Sequence, residues 1–214
     1  MMIFSEFCIA LWINKKALVS YVVFSVKIDG YIKMTTTSFY NDEELYAMGF
    51  ASIGKGCCIS RKASFYGIEK IHVGNNVRID DFCILSGNIK LGNNIHISAY
   101  VALYGAEGIV LEDYTGISPR STIYSAMDDF SGIYLIGPVH PDEYTNVKGG
   151  KVVMKCYSQL ASNCIIFPNL TIGEGTVVGA CSMVTHSLGS WGVYYGIPAV
   201  RRKDRNNQLL QFLK

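Results

Sequence analysis

Charge is scarce in this chain: 17% of its 214 residues are Asp, Glu, Lys or Arg, and the formal net charge is +2. A field that weak excludes nucleic acid or a membrane surface as a partner recruited by charge alone. Proline is scarcer still, at 5 residues against 21 glycines, so tight turns are available without proline-rich linkers. Leucine numbers 14 while isoleucine and valine together number 40, and such an excess of β-branched residues favours strands over helices. Cysteine occurs 7 times, an odd count with no CxxC pair and no Cys/His ligand spacing. That pattern fits neither a disulfide framework nor a zinc site. Reduced thiols used as small apolar residues are the better reading, and they point to a cytoplasmic location.

Long apolar runs are also missing. Residues 2–13 and 17–26 are apolar, but Asn14, Lys15 and Lys16 interrupt them, and neither piece reaches the roughly 20 residues of a spanning helix. The order of charge and small residues is wrong for a secretory signal. Residues 1–37 therefore read as an N-terminal extension with no stable membrane span. Three readings stay open for it: an extra strand or helix, an over-called start whose natural beginning is Met34, or, as the lesser one, a weakly membrane-associated segment. The rest is rich enough in apolar residues, 50% over the whole chain, to exclude extended disorder. Its length suits one domain of roughly 100–200 residues with a sizeable core.

From residue 53 an aliphatic residue recurs every six positions: Ile53 and Ile59, then Val73, Ile79, Leu85, Leu91, Ile97 and Leu103. Leu111, Ile117 and Ile123 follow, and Met154, Leu160, Ile166, Ile172, Val178 and Val184 complete the series. The next residue is mostly small or polar, and the fifth position of each unit is again small or aliphatic. Cys57, Cys83 and Cys164 all occupy that fifth slot. A six-residue unit is a short strand plus a turn and cannot bury its apolar face alone; stacked coils can. The expected fold is all-β, a parallel β-helix over 53–190. A sandwich would need strands spaced 8–12 residues apart and hairpin turns.

Breaks in the register are as informative. The step is eight residues from Phe65 to Val73 and from Leu103 to Leu111, and 31 from Ile123 to Met154. The last break extrudes a loop over 125–151, and long excursions from a regular scaffold are where function concentrates. Ahead of the repeat, 38–52 reads as a helical lead-in, with Asn41 as cap and Gly49 as stop. Residues 191–214 read as a C-terminal tail with a short helix at 206–213.

The segments at 60–67, 76–83, 123–132 and 195–199 (Tyr195-Gly196-Ile197-Pro198-Ala199) resemble the hexapeptide-repeat acyltransferases. Within that family the chain is similar to the sugar O- and N-acetyltransferases of surface-polysaccharide and lipopolysaccharide biosynthesis. The resemblance implies a left-handed solenoid, acetyl-CoA as donor, and a sugar or nucleotide-sugar acceptor acylated on a hydroxyl or amine. It also implies a homotrimer with active sites between neighbouring solenoids, and no metal. A role from a different class, as a non-catalytic assembly subunit, is the alternative for a hexapeptide-repeat protein.

In galactoside-type members the general base is a histidine of the extruded loop, which here singles out His140, a residue type that titrates near neutrality. A direct overlay instead lands near Asp128, so Asp128 and Asp129 are candidates for base or acceptor binding. Substrate-assisted proton transfer stays open. For the donor, the matching positions are Ala161, Gly179, Ala180 and Ser182, small enough for a linear pantetheine arm, followed by Pro198, Ala199, Arg201 and Arg202 for phosphate. Tyr100, Tyr104, Tyr114 and Tyr124 are expected to cluster, at a subunit interface or along an acceptor groove.

Overall fold

The computed structural model describes residues 38–213. The extension at 1–37, with Met34 and Cys8, lies outside the described residues. A helix, Asp42–Ala47, opens the described chain. Asn41 Oδ1 accepts the Glu44 N–H and Glu44 Oε2 accepts the Asn41 N–H, both at 2.8 Å. This reciprocal cap satisfies donors that a helix start leaves orphaned.

The rest winds into a three-sided parallel β-helix. Its first interior column runs Ile53, Val73, Leu91, Leu111, Met154, Ile172, Leu188. The second runs Ile59, Ile79, Ile97, Ile117, Leu160, Val178, Tyr194. The third runs Phe65, Leu85, Leu103, Ile123, Ile166, Val184. Each step within a column joins residues paired across neighbouring coils, so about seven coils stack among the described residues. Apart from Ile53 at the open end and Phe65, every column residue is buried. Full burial stabilises each such side chain by about 1.5–3 kcal/mol.

The fifth slots fill the space between columns. Cys57, Cys83 and Cys164 are buried there, as their structural reading requires, and burial pushes the Cys83 thiol up to about 11. Buried hydroxyls occupy other fifth slots: Ser121 donates to the Ala161 carbonyl at 2.9 Å and Thr176 to the Gly189 carbonyl at 2.6 Å. Thr115 Oγ1 is the exception, buried without a hydrogen-bond partner among the described residues.

Corners lie three residues after a column position and adopt a left-handed backbone even without glycine. Examples are Asn76, Phe82, Tyr100, Tyr114, Arg120, Tyr157 and Trp191, with φ between 49° and 63°. The conformation disfavours side chains with a Cβ. It is held because each corner N–H donates to a carbonyl of the preceding coil, as from Tyr100 to Asp81 at 3.0 Å and from Trp191 to Glu174 at 2.7 Å.

The four tyrosines do not form one cluster. Tyr100 stacks on Phe82, Tyr114 on Tyr157, and Tyr104 on Tyr124, so they divide among three separate edges of the solenoid. The reason is that stacking follows the coil period and pairs each ring with its counterpart one coil away. A second difference concerns the C-terminal part. Instead of a tail from residue 191, Gly192–Gly196 continues the second face and Ala199–Asp204 folds back antiparallel on it. The reversed strand covers backbone groups that the last coil would otherwise leave unpaired. A short 3-10 helix, Gln208–Leu213, follows. The first eight-residue step holds a 3-10 turn, Ile68–Lys70, whereas the second lies within one unbroken strand, Ala102–Leu111.

Candidate active site

The long excursion leaves the fourth coil after Ile123 and is a hairpin rather than an open loop. Ala126–Asp128 pairs antiparallel with Val147–Gly149, with Ala126 opposite Gly149 and Asp128 opposite Val147. Ser125, fully buried, anchors the root. Its hydroxyl donates to the Tyr104 carbonyl at 3.0 Å and accepts the Glu107 N–H at 2.8 Å, while its carbonyl accepts the Gly150 N–H at 2.8 Å. Both ends of the excursion are thereby tied to the solenoid.

Between the hairpin strands and the returning chain lies a cavity of about 350 Å³. Asp128 and His140 both line it, with Met127, Gly137, Asp142 and Thr145. Asp128 Oδ1 accepts the Gly137 N–H at 3.4 Å, and His140 is half-buried. The volume sits at the lower end of small-molecule pockets. Two carboxylates and an imidazole around it suit a polar, proton-donating group such as an amine or hydroxyl.

Asp129 does not line this cavity. Only 7% exposed, its carboxylate accepts from the Ser131 N–H at 2.9 Å and Asn146 Nδ2 at 2.8 Å, and pairs with Lys148 Nζ at 2.9 Å. The Lys148 ammonium, then the Ser131 donors, hold its carboxyl well below the usual carboxylate range. A carboxylate so committed is a poor proton acceptor. Sequence reasoning did not find Asn146 and Lys148; the one available signal was that polar residues alternate there, as on a strand.

The donor candidates lie elsewhere, and none of them lines the hairpin cavity. Ala161 and Gly179 extend the second face, with N–H groups donating to the carbonyls of Val178 and Tyr194. Ala180 and Pro198 are exposed. Ser182 and Ala199 are buried, and Ser182 Oγ accepts the Gly196 N–H at 3.1 Å. Arg201 is spent on the fold, donating to the Tyr194 hydroxyl at 3.1 Å and Asp204 at 2.8 Å. Arg202 is exposed, its guanidinium 4.9 Å above the Tyr195 ring. Of the other histidines, His72 lies 3.1 Å from Ser52 Oγ and His96 2.8 Å from Asp80 Oδ2, both outside the cavity. Among the described residues no group of His, Cys, Asp and Glu could hold a metal ion.

No protein-family model matches the chain. It is 41% identical over 176 residues to dTDP-4-amino-4,6-dideoxy-D-glucose acyltransferase of Escherichia coli, across 80% of this chain and 92% of that one. It superposes with a TM-score of 0.81 on the crystal structure of AntD, an N-acyltransferase from Bacillus cereus in complex with dTDP and 3-hydroxybutyryl-CoA. That match has 50% identity and covers 83% of this chain and 95% of the other. AntD variants at a serine, and at an aspartate ten positions further along, have been solved with dTDP and coenzyme A. A hexapeptide-repeat acetyltransferase from Vibrio cholerae, bound to acetyl coenzyme A, matches at 18% identity and a TM-score of 0.56 over 78% of this chain and 79% of that one; that likeness concerns the fold alone.

Proposed function

Because the chain belongs to the hexapeptide-repeat acyltransferases, with their left-handed parallel β-helix, we propose that it moves an acetyl group from acetyl-CoA to the amine of a nucleotide-linked amino sugar. The single observation that carries this reading is the cavity of the extruded hairpin, where Asp128 and His140 come together. The two relatives most informative on the acceptor act on, or bind with, dTDP or a dTDP-linked 4-amino sugar. In this chain a serine stands ten positions before an aspartate at Ser118 and Asp128 alone, the spacing of the residues varied in AntD. A scaffold subunit has no need of clustered ionisable groups in an excursion.

In the proposed step the amine nitrogen attacks the thioester carbonyl, forming the new C–N bond. The tetrahedral intermediate collapses, the C–S bond breaks, and coenzyme A leaves. Asp128 orients the amine, with Ser118 as a second polar contact. His140 takes the proton that the nitrogen sheds, and that proton ends on the departing thiolate. The pantetheine arm follows Ala161, Gly179, Ala180 and Pro198, with Ser182 and Ala199 buried beneath them, and Arg202 faces the phosphates while Arg201 braces Tyr194 and Asp204 behind it. Three copies close the sites between neighbouring solenoids, and the reaction runs in the cytoplasm, where acetyl-CoA and nucleotide sugars are supplied. Among the described residues no helix is long and apolar enough to cross a membrane.

The test is mass spectrometry of the protein incubated with acetyl-CoA and a panel of nucleotide sugars bearing either an amine or only hydroxyls. An N-acetylated product with matching release of free thiol is expected. Turnover of hydroxyl acceptors alone overturns the amine assignment. Absence of thermal stabilisation by millimolar acetyl-CoA favours the assembly-subunit role instead. Light scattering that gives a monomer mass overturns the shared site.

A further inference from the structure

We propose that the Asp129–Lys148 ion pair is the positioning device of the acceptor site: it clamps the neck of the hairpin so that Asp128 faces the cavity. The proposal rests on the acyltransferase reading above and adds residues to it that touch neither acceptor nor donor.

Four polar contacts meet at Asp129. Its backbone N–H donates to the Asn146 carbonyl at 2.9 Å, and its carboxylate takes the Ser131 N–H, Asn146 Nδ2 and Lys148 Nζ. These join the outgoing chain at 129–131 to the returning chain at 146–148, on the far side of the last strand pair from the anchored root. Lys148 itself pairs with Met127 across the ladder, so the clamp and the cavity share the same short strands. Successive residues of an extended chain face opposite ways. Tying the Asp129 side chain to the returning strand therefore leaves Asp128, its neighbour, turned toward Gly137 and His140. Without the clamp, the remaining strand pair is three residues long, and an isolated ribbon of that length is marginal in water.

A staple that merely stabilised the fold would be expected to affect both substrates alike. Lys148 is 69% exposed and hangs on the hairpin, away from the interior columns, so its loss leaves the solenoid core intact. What it changes is the orientation of the acceptor-binding carboxylate, and misplacement of that order costs rate and acceptor affinity together.

The experiment is steady-state kinetics on the full chain, with the amino sugar nucleotide that the parent acetylates and with acetyl-CoA varied separately. Lys148→Met is expected to lower kcat/KM for the acceptor by roughly 10–100-fold, with the acetyl-CoA KM held within about twofold. Lys148→Arg, which keeps the charge, is expected to recover most of the loss. Asp129→Asn should reproduce the pattern of Lys148→Met. An unchanged acceptor kcat/KM in Lys148→Met overturns the proposal, as does an equal loss for both substrates. If Lys148→Met melts early, Lys148→Gln read at a lower temperature gives the same split or its absence. A parent protein that acetylates no amine fails the functional reading. A parent that does, beside a Lys148→Met variant of equal acceptor kcat/KM, fails the clamp alone.

Discussion

Tyr157 and Trp191 stack with ring centroids 6.5 Å apart and planes 27° from parallel, although they stand two coils apart in the solenoid. Two strand spacings amount to about 9.6 Å. The shortfall is closed because the corner between them is Gly175, at φ +62°, over which the indole leans. A Cβ there would come within 2.4 Å of the Trp191 ring. Gly175→Ala is therefore expected to destabilise the protein by about 2 kcal/mol, combining the left-handed backbone cost with a displaced stack. Guanidinium unfolding checks this, and an unchanged midpoint would refute it.

Thr115 gives a prediction of the opposite sign. Its hydroxyl is buried without a partner among the described residues, and an unsatisfied donor costs more than an apolar group of the same shape. Thr115→Val should raise stability by about 1–2 kcal/mol, seen as a higher denaturant midpoint with an unaltered slope.

The cysteines should separate by accessibility. Cys58 and Cys181 are exposed, whereas Cys57, Cys83 and Cys164 are buried. Burial raises the thiols of all three buried residues, which lowers their thiolate content further. Brief alkylation at about pH 8 should mark Cys58 and Cys181, with the buried three modified only after denaturation. Peptide mass spectrometry that finds Cys83 modified in the native protein would contradict the packing described.

Asp129 predicts a pH dependence of stability. Lys148 is the charged group that faces its carboxylate, with Asp128 its acidic neighbour in sequence. A carboxyl whose folded value is depressed contributes stability above the unfolded value of about 3.9, and loses it as pH falls toward the folded value. Asp129→Asn should melt below the parent at neutral pH, and the gap should close progressively below about pH 4. A gap that persisted unchanged into acid would show that charge is not what holds the hairpin neck.

For the chemistry itself, His140→Ala is expected to cut turnover by roughly 10²–10⁴-fold with acetyl-CoA binding preserved. Asp128→Asn should act chiefly through the acceptor KM. Full activity in both single variants and in the double variant would remove every protein base and leave proton transfer to the substrate.

The interior of the solenoid was legible in the sequence because its columns need one residue class at one spacing. Ile79, Leu103 and Val178 announce themselves by phase, and Cys83 and Cys164 by sharing the fifth slot. The hairpin was legible as a broken phase after Ile123. The corners were not. Ordinary turn chemistry looks for glycine or asparagine at positive φ, and here tyrosine, arginine and tryptophan take that conformation because the preceding coil supplies an acceptor for each N–H. The split of the tyrosines into separate stacks depends on partners a coil away, and the pairing of Asp129 with Lys148 depends on the excursion folding back on itself as a hairpin. Strand pairing after residue 191 was hidden because Ala199–Asp204 runs antiparallel, outside the six-residue phase. Of the two adjacent aspartates, only the three-dimensional hairpin shows which one faces the cavity.

Ala126 lies directly opposite Gly149, and the Ser125 carbonyl holds the Gly150 N–H, so the excursion begins and ends at one point on the solenoid. Nothing in the coils above or below has to change when what lies between those residues changes. Replacing 127–148 by a two-residue turn should leave Leu111 paired with Met154 and Ile123 with Ile166, as they are now. The hairpin is thus an exchangeable cassette on the rod, and the part of the site it carries, Asp128 and His140, would travel with that one segment while Ser118 stayed behind on the coils.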